Sequence, residues 1–137
     1  KKLLIVDFDP RVVSKLNSEG FRCIYGDIGD YELFDELNLA KAELVISTVP
    51  DKTDSIVLLK RAKSLNRKVS VVVAADNVDD ALELYKSGAD YVIVPNLLSG
   101  EKVADILRVA VRDKHFVNDV KKRHIASLKK LGWLAEQ

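Results

Sequence analysis

Five short apolar runs, at residues 3–6, 23–25, 44–46, 69–74 and 91–94, punctuate the chain, and an amphipathic stretch follows each one. Most of the runs are too continuous for a sheet with one wet face, and read as strands covered on both sides. The stretches between them have helical spacing. Pro10 opens one that buries Val12, Val13 and Leu16 before Gly20 closes it. Asp30 is the expected cap of the second, with Leu33, Phe34 and Leu37 inward. The third runs from about residue 51 to 65 and buries Ile56, Leu59 and Ala62. Asp76 or Asn77 caps the fourth, which buries Ala81, Leu84 and Tyr85 until Gly88. The fifth starts near Ser99 and carries Val103, Ile106, Leu107 and Ala110. Strands that alternate with helices predict a parallel α/β sheet with right-handed crossovers.

The final residues differ in kind. "KHFVNDVKKRHIASLKKLGWL" is a basic amphipathic helix with Val117, Val120, His124, Leu128 and Leu131 on one stripe. The expected organisation is therefore an α/β domain over residues 1–112 and a C-terminal helix over 113–137. The stripe, with Trp133 just past it, predicts a homodimer contact; the alternative is a helix folded back on its own sheet, and a membrane-surface helix is not expected.

Composition narrows the function classes. The 22 Lys and Arg nearly balance the 21 Asp and Glu, which gives no reason to expect a nucleic-acid partner. No apolar run approaches the ~20 residues of a membrane span, so direct insertion is not expected. One cysteine, Cys23, cannot form an internal disulfide, and reducing, cytoplasmic surroundings fit it. His115 and His124 do not have metal-ligand spacing, and no metal site is expected. The absence of Met, even at position 1, suits a piece of a longer protein.

The strand ends carry the chemistry. "LLIVDFDP" delivers Asp7 and Asp9 to a carboxyl end, where open α/β sheets bind ligands. "IYGDI" delivers Asp27, and "VISTVP" delivers Ser47, Thr48 and Val49. Each has a plainer alternative: Asp9 as the cap of the helix that Pro10 begins, Asp27 as turn chemistry, and Ser47 and Thr48 as partners of loop amides.

Together with "SGADYVIVP", these strand ends at their spacing resemble the TrkA-N family, the regulator-of-K+-conductance (RCK) nucleotide-binding domains. The resemblance covers roughly residues 3–110, and is strongest to the cytoplasmic domains of monovalent cation:proton antiporters and potassium transport systems. It implies a non-catalytic regulatory domain that binds NAD(H) or an adenine nucleotide (ATP, ADP or AMP) and acts on a membrane transporter. By the same resemblance Asp7, with Asp9 beside it, holds ribose hydroxyls, Asp27 meets the adenine amino group, and Ile28 packs on the ring. Ser47, Thr48 and Val49 line the crevice near ribose or phosphate.

Two departures matter. These residues contain no Gly-x-Gly-x-x-Gly loop and no strand leading into one, so a pyrophosphate has no glycine-rich turn to rest on. An arginine common in the family is also missing, since the stretch reads "VVAADN". The Rossmann strand order is 3-2-1-4-5-6. Without strand 1 and with the gap closed, the order becomes the flavodoxin-like 2-1-3-4-5, in a three-layer, doubly wound five-stranded sheet. The alternative is a strand supplied in trans by another chain or a swapped twin. Closure is the expectation, because an open gap leaves two central edges unpaired.

A receiver-like signalling module shares the flavodoxin-like order and is the second functional reading. Phosphotransfer is excluded, because Ser47 stands where the third strand needs an acceptor Asp, and Val94 where a Lys should precede the last Pro. A dehydrogenase needs a pyrophosphate loop, a substrate domain and a general acid in a crevice, and these residues show none of them.

Overall fold

Asp9 joins the first strand to the first helix. Its carboxylate accepts the Arg11 N–H at 2.8 Å, and Pro10 takes the first helical position. The computed structural model describes residues 3–113 and 115–131. β1 (Ile5–Asp7) leads through Asp9 into α1 (Pro10–Ser18), and Gly20, at φ +88°, turns the chain into β2 (Cys23–Tyr25). The Asp30 carboxylate accepts the Glu32 N–H at 3.0 Å, starting the turn that α2 (Leu33–Glu36) completes. This helix is only 4 residues long; Asn38, at φ 48°, redirects the chain into a 3-10 turn at Leu39–Lys41.

β3 (Leu44–Ile46) is followed by α3 (Lys52–Leu65), capped by Asp51, whose side chain accepts the Asp54 N–H at 2.9 Å. β4 (Ser70–Ala74), α4 (Val78–Lys86) and β5 (Tyr91–Ile93) complete the series. Asn77, not Asp76, caps α4, and Gly88 at φ +103° ends it. α5 (Pro95–Ala110) starts at Pro95 rather than near Ser99, since proline suits a first helical position. α6 spans Phe116–Leu131.

All strand pairs are parallel. β1 pairs with β2 in the register Val6↔Ile24, while β4 lies between β3 and β5 with Val45↔Val71 and Val73↔Val92. The expected pairing of β1 with β3 does not form, so the described residues hold a two-stranded and a three-stranded ladder instead of a continuous 2-1-3-4-5 sheet. The helical layer, rather than hydrogen bonds, spans the break. Phe34 of α2 and Leu39 of the 3-10 turn share a core cluster with Leu58 and Leu59 of α3. Arg61 of α3 also pairs with Asp35 of α2 at 2.8 Å. α2 and the 3-10 turn thus pack on α3, while β1 stays outside the β3 ladder.

The core centres on β4 and α3. Leu59, Ala62, Val71, Val73 and Leu84 are wholly buried, each large apolar side chain contributing roughly 1.5–3 kcal/mol. The buried stripe of α3 is Ser55, Leu58, Leu59 and Ala62, with Ile56 at its margin. A serine at a core position disguised that stripe in the sequence. Tyr85 is half-exposed, but its hydroxyl accepts the Val92 N–H at 3.1 Å and ties α4 to β5.

The chain divides into two compact units, residues 1–95 and 96–137. Most of α5, together with α6, falls in the second unit. Within the second unit Ile106, Ala110 and Val120 are half-buried, whereas Val103, Leu107, Val117, Leu128 and Leu131 are exposed. Trp133 lies outside the described residues. Among these, no helix is long and apolar enough to cross a membrane.

Candidate functional site

The carboxyl ends of β1, β2 and β3 bring the predicted residues to one end of the first unit. Asp7 closes β1 half-buried, and its Oδ1 accepts the Asp9 N–H at 2.8 Å. Asp9 itself is committed to the helix start. Besides capping α1 it takes both Nε (3.1 Å) and Nη2 (2.7 Å) of Arg11. These bonds with the guanidinium hold its carboxyl down at about 2. The plainer reading of Asp9 as a helix cap is the one its geometry displays.

Gly26 follows β2, and its N–H continues the ladder to the Asp7 carbonyl at 3.1 Å. A Cβ here would stand 2.7 Å from Leu33 Cδ1 and 3.3 Å from Val6 Cγ1, so close packing selects glycine. Asp27 follows on the surface, and its Oδ1 accepts the Gly29 N–H at 2.9 Å. Ile28 is half-buried and packs against the core cluster. After β3, Ser47 is buried; its N–H donates to the Val72 carbonyl at 2.9 Å, and its Oγ accepts the Val49 N–H at 3.4 Å. Thr48 and Val49 are exposed beyond it.

Three residues unforeseen in the sequence complete the site. Asp51 and Asp54 open α3, and a Cβ at Gly29 would lie 3.5 Å from Asp27 Oδ1 and 3.6 Å from Asp54 Oδ2. The turn after β2 therefore meets the first turn of α3. Burial, with the charges of Asp51 and Asp27 adding to it, raises the Asp54 carboxyl above its ordinary range. On the next residue, the Ser55 hydroxyl is buried with no hydrogen-bond partner among the described residues. The "PDKTDS" run after β3 carried the signal for all three, as an acid-rich helix start at a strand's carboxyl end.

Carboxylates accept hydrogen bonds, so this end suits hydroxyl and amino donors such as those of a nucleoside, and it repels phosphate. Among the described residues no group of three or more His, Cys, Asp or Glu could hold a metal ion. Cys23 is buried, and burial together with the Asp7 charge raises its thiol, which keeps it unreactive.

Comparisons with known proteins bear on the family and the fold. The family model described as the TrkA-N domain matches residues 1–95, the extent of the first compact unit. The glutathione-regulated potassium-efflux system protein KefC of Enterobacter sp. (strain 638) is 28% identical over 89 residues, 65% of this chain. The chain spans only 14% of the length of that relative. Among solved structures, the TrkA-N domain of the inner membrane protein ybaL from Escherichia coli superimposes with a TM-score of 0.70 at 19% identity. That match covers 77% of this chain and 78% of the other. The GsuK channel bound to NAD gives a TM-score of 0.55 at 24% identity, over 67% of this chain and 16% of that one. The structural likenesses establish an α/β Rossmann-like fold, and the match over residues 1–95 establishes that this chain belongs to the TrkA-N domain family.

Proposed function

We propose that residues 1–95 form a cytoplasmic, non-enzymatic regulatory domain that binds an adenine nucleotide or NAD(H) and acts on a monovalent cation transporter. The parent is a cation:proton antiporter or a potassium transport protein. One observation carries the reading: in a TrkA-N domain, the turn after β2 brings Asp27 beside Asp54 at the start of α3, where Asp51 also lies. Asp7 accepts from ribose hydroxyls and Asp27 from the adenine amino group, while Ser47, Thr48 and Val49 line the β3 side. KefC, named for potassium efflux, and the NAD-bound GsuK channel support the class of ligand and of partner. Binding biases the conformation of a membrane-embedded partner, and a homodimer made through the second unit transmits that bias.

In these 137 residues the affinity is low, because no glycine-rich loop offsets the carboxylates facing a pyrophosphate. Titration calorimetry tests this: NAD(H), ADP and ATP should bind with Kd above ~100 μM. Asp27→Ala should weaken adenosine and ADP by the same factor, because the contact is to the base. A low-micromolar Kd for ADP that Asp27→Ala leaves unchanged would overturn the assignment. For the homodimer, light scattering at micromolar concentration should return twice the chain mass; a monomer refutes it.

A further inference from the structure

We infer that Asn17 and Tyr85 are edge guards, which close β2 and β5 to strand pairing with a second copy of this chain. Among the described residues β2 pairs only with β1, and β5 only with β4. Each therefore has an edge with no strand beside it. In β2, the Arg22 carbonyl accepts from Ile5 and the Gly26 N–H donates to Asp7. By alternation Cys23 and Tyr25 turn their backbone groups away from β1. In β5, the Ile93 carbonyl accepts from Ala75, so Val92 is the residue that turns outward.

In each strand a side chain of the preceding helix occupies an outward position. Asn17, in the last turn of α1, accepts the Cys23 N–H at 3.0 Å and donates to the Cys23 carbonyl at 2.9 Å. Its amide does for Cys23 what a peptide group of a neighbouring strand would do. Tyr85, in the last turn of α4, accepts the Val92 N–H on its hydroxyl at 3.1 Å. The two contacts differ in chemistry but share a place in the fold.

These edges lack the usual protection. β2 (Cys-Ile-Tyr) and β5 (Tyr-Val-Ile) hold no charge and no proline, the common means of blunting an edge. Tyr25 and Tyr91 are 66% and 49% exposed, so aromatic surface flanks the outward groups. The two strands are equally short and uncharged, so an unguarded edge on one molecule finds its match on another. Pairing β2 of one copy with β5 of the next is a head-to-tail contact, the kind that grows into open chains. Strand addition draws its affinity from a run of main-chain hydrogen bonds. With Cys23 occupied, β2 offers only Tyr25, and within β5 the outward N–H is already bonded. Neither guard belongs to the proposed nucleotide crevice, so the inference does not depend on that reading.

Amide hydrogen exchange and light scattering of the full chain, with no ligand added, test the guards. Tyr85→Phe removes one oxygen and keeps the ring, and Asn17→Ala removes the amide. At micromolar protein, exchange should quicken by about three- to tenfold at Val92 in the first variant and at Cys23 in the second. At millimolar protein, the double variant should slow again at Cys23, Tyr25 and Val92 and exceed the mass of the native chain at equal concentration. A merely structural role predicts lower stability with no dependence on protein concentration, and that result overturns the inference. Association that protects residues outside β2 and β5 overturns it too. Where Asn17→Ala fails to fold, Tyr85→Phe alone decides, through the same concentration dependence at Val92.

Discussion

Residues 44–94 and residues 3–43 follow the same plan of strand, capped helix and glycine turn, yet they pack to different depths. In the later region β4 has a neighbour on each side, and Val71, Val73, Leu59 and Leu84 are wholly buried. In the earlier region β1 has one neighbour, and none of its residues is fully buried. A strand as apolar as Ile5 and Val6 becomes core only when both its edges and both its faces are occupied. The difference lies in what flanks the strand, not in its residues.

The largest test of that contrast is a pair of truncations. Leu59→Ala should cost about 2–5 kcal/mol of unfolding free energy, and Val6→Ala about 1 kcal/mol or less, in urea melts. Equal losses would show that β1 is as enclosed in solution as β4. Asn77→Ala removes the cap of α4 and should cost about 1 kcal/mol. Slower exchange in β1 than in β4 would invert the comparison, since the β1 amides should open with the smaller protection.

The smallest effects are in pH dependence, and two carboxylates of the later region have opposite signs. Asp90 accepts Lys63 Nζ and the Val71 N–H, each at 2.6 Å, and those bonds lower its pKa. Its contribution is present above the ordinary aspartate range and fades as pH falls through the lowered folded value. Asp54 is raised by burial and by Asp51 and Asp27, so the folded chain holds its proton more tightly than the unfolded one. Its contribution favours the fold at acidic pH and is lost as pH rises through the raised value. Asp54→Asn should thus make stability less sensitive to pH above the aspartate range, and Asp90→Asn should weaken acid sensitivity below it. Denaturant midpoints measured from pH 3 to 7 separate the two.

Much of this was legible in the chain. Apolar runs placed five strands, Pro10, Asp51 and Asn77 marked helix starts, and Gly20 and Gly88 marked ends at positive φ. Local chemistry decides these features: a cap satisfies amides a few residues away, and glycine alone turns left-handed without strain. The strand-end motifs likewise fixed the family and put Asp7, Asp27 and Ser47 at carboxyl ends.

Pairing across the sheet was beyond local reading. That β1 does not pair with β3, and that α2, the 3-10 turn and α3 pack together, are relations between residues far apart in the chain. The same holds for Asp54, whose meeting with the Asp27 turn no spacing along the chain displays, and for Ser55, buried on a stripe otherwise apolar. Sequence determined the elements and their ends, because those are settled within a turn or two of backbone. Tertiary structure decided which edges stay open and which carboxylates meet, because those follow from how whole helices pack.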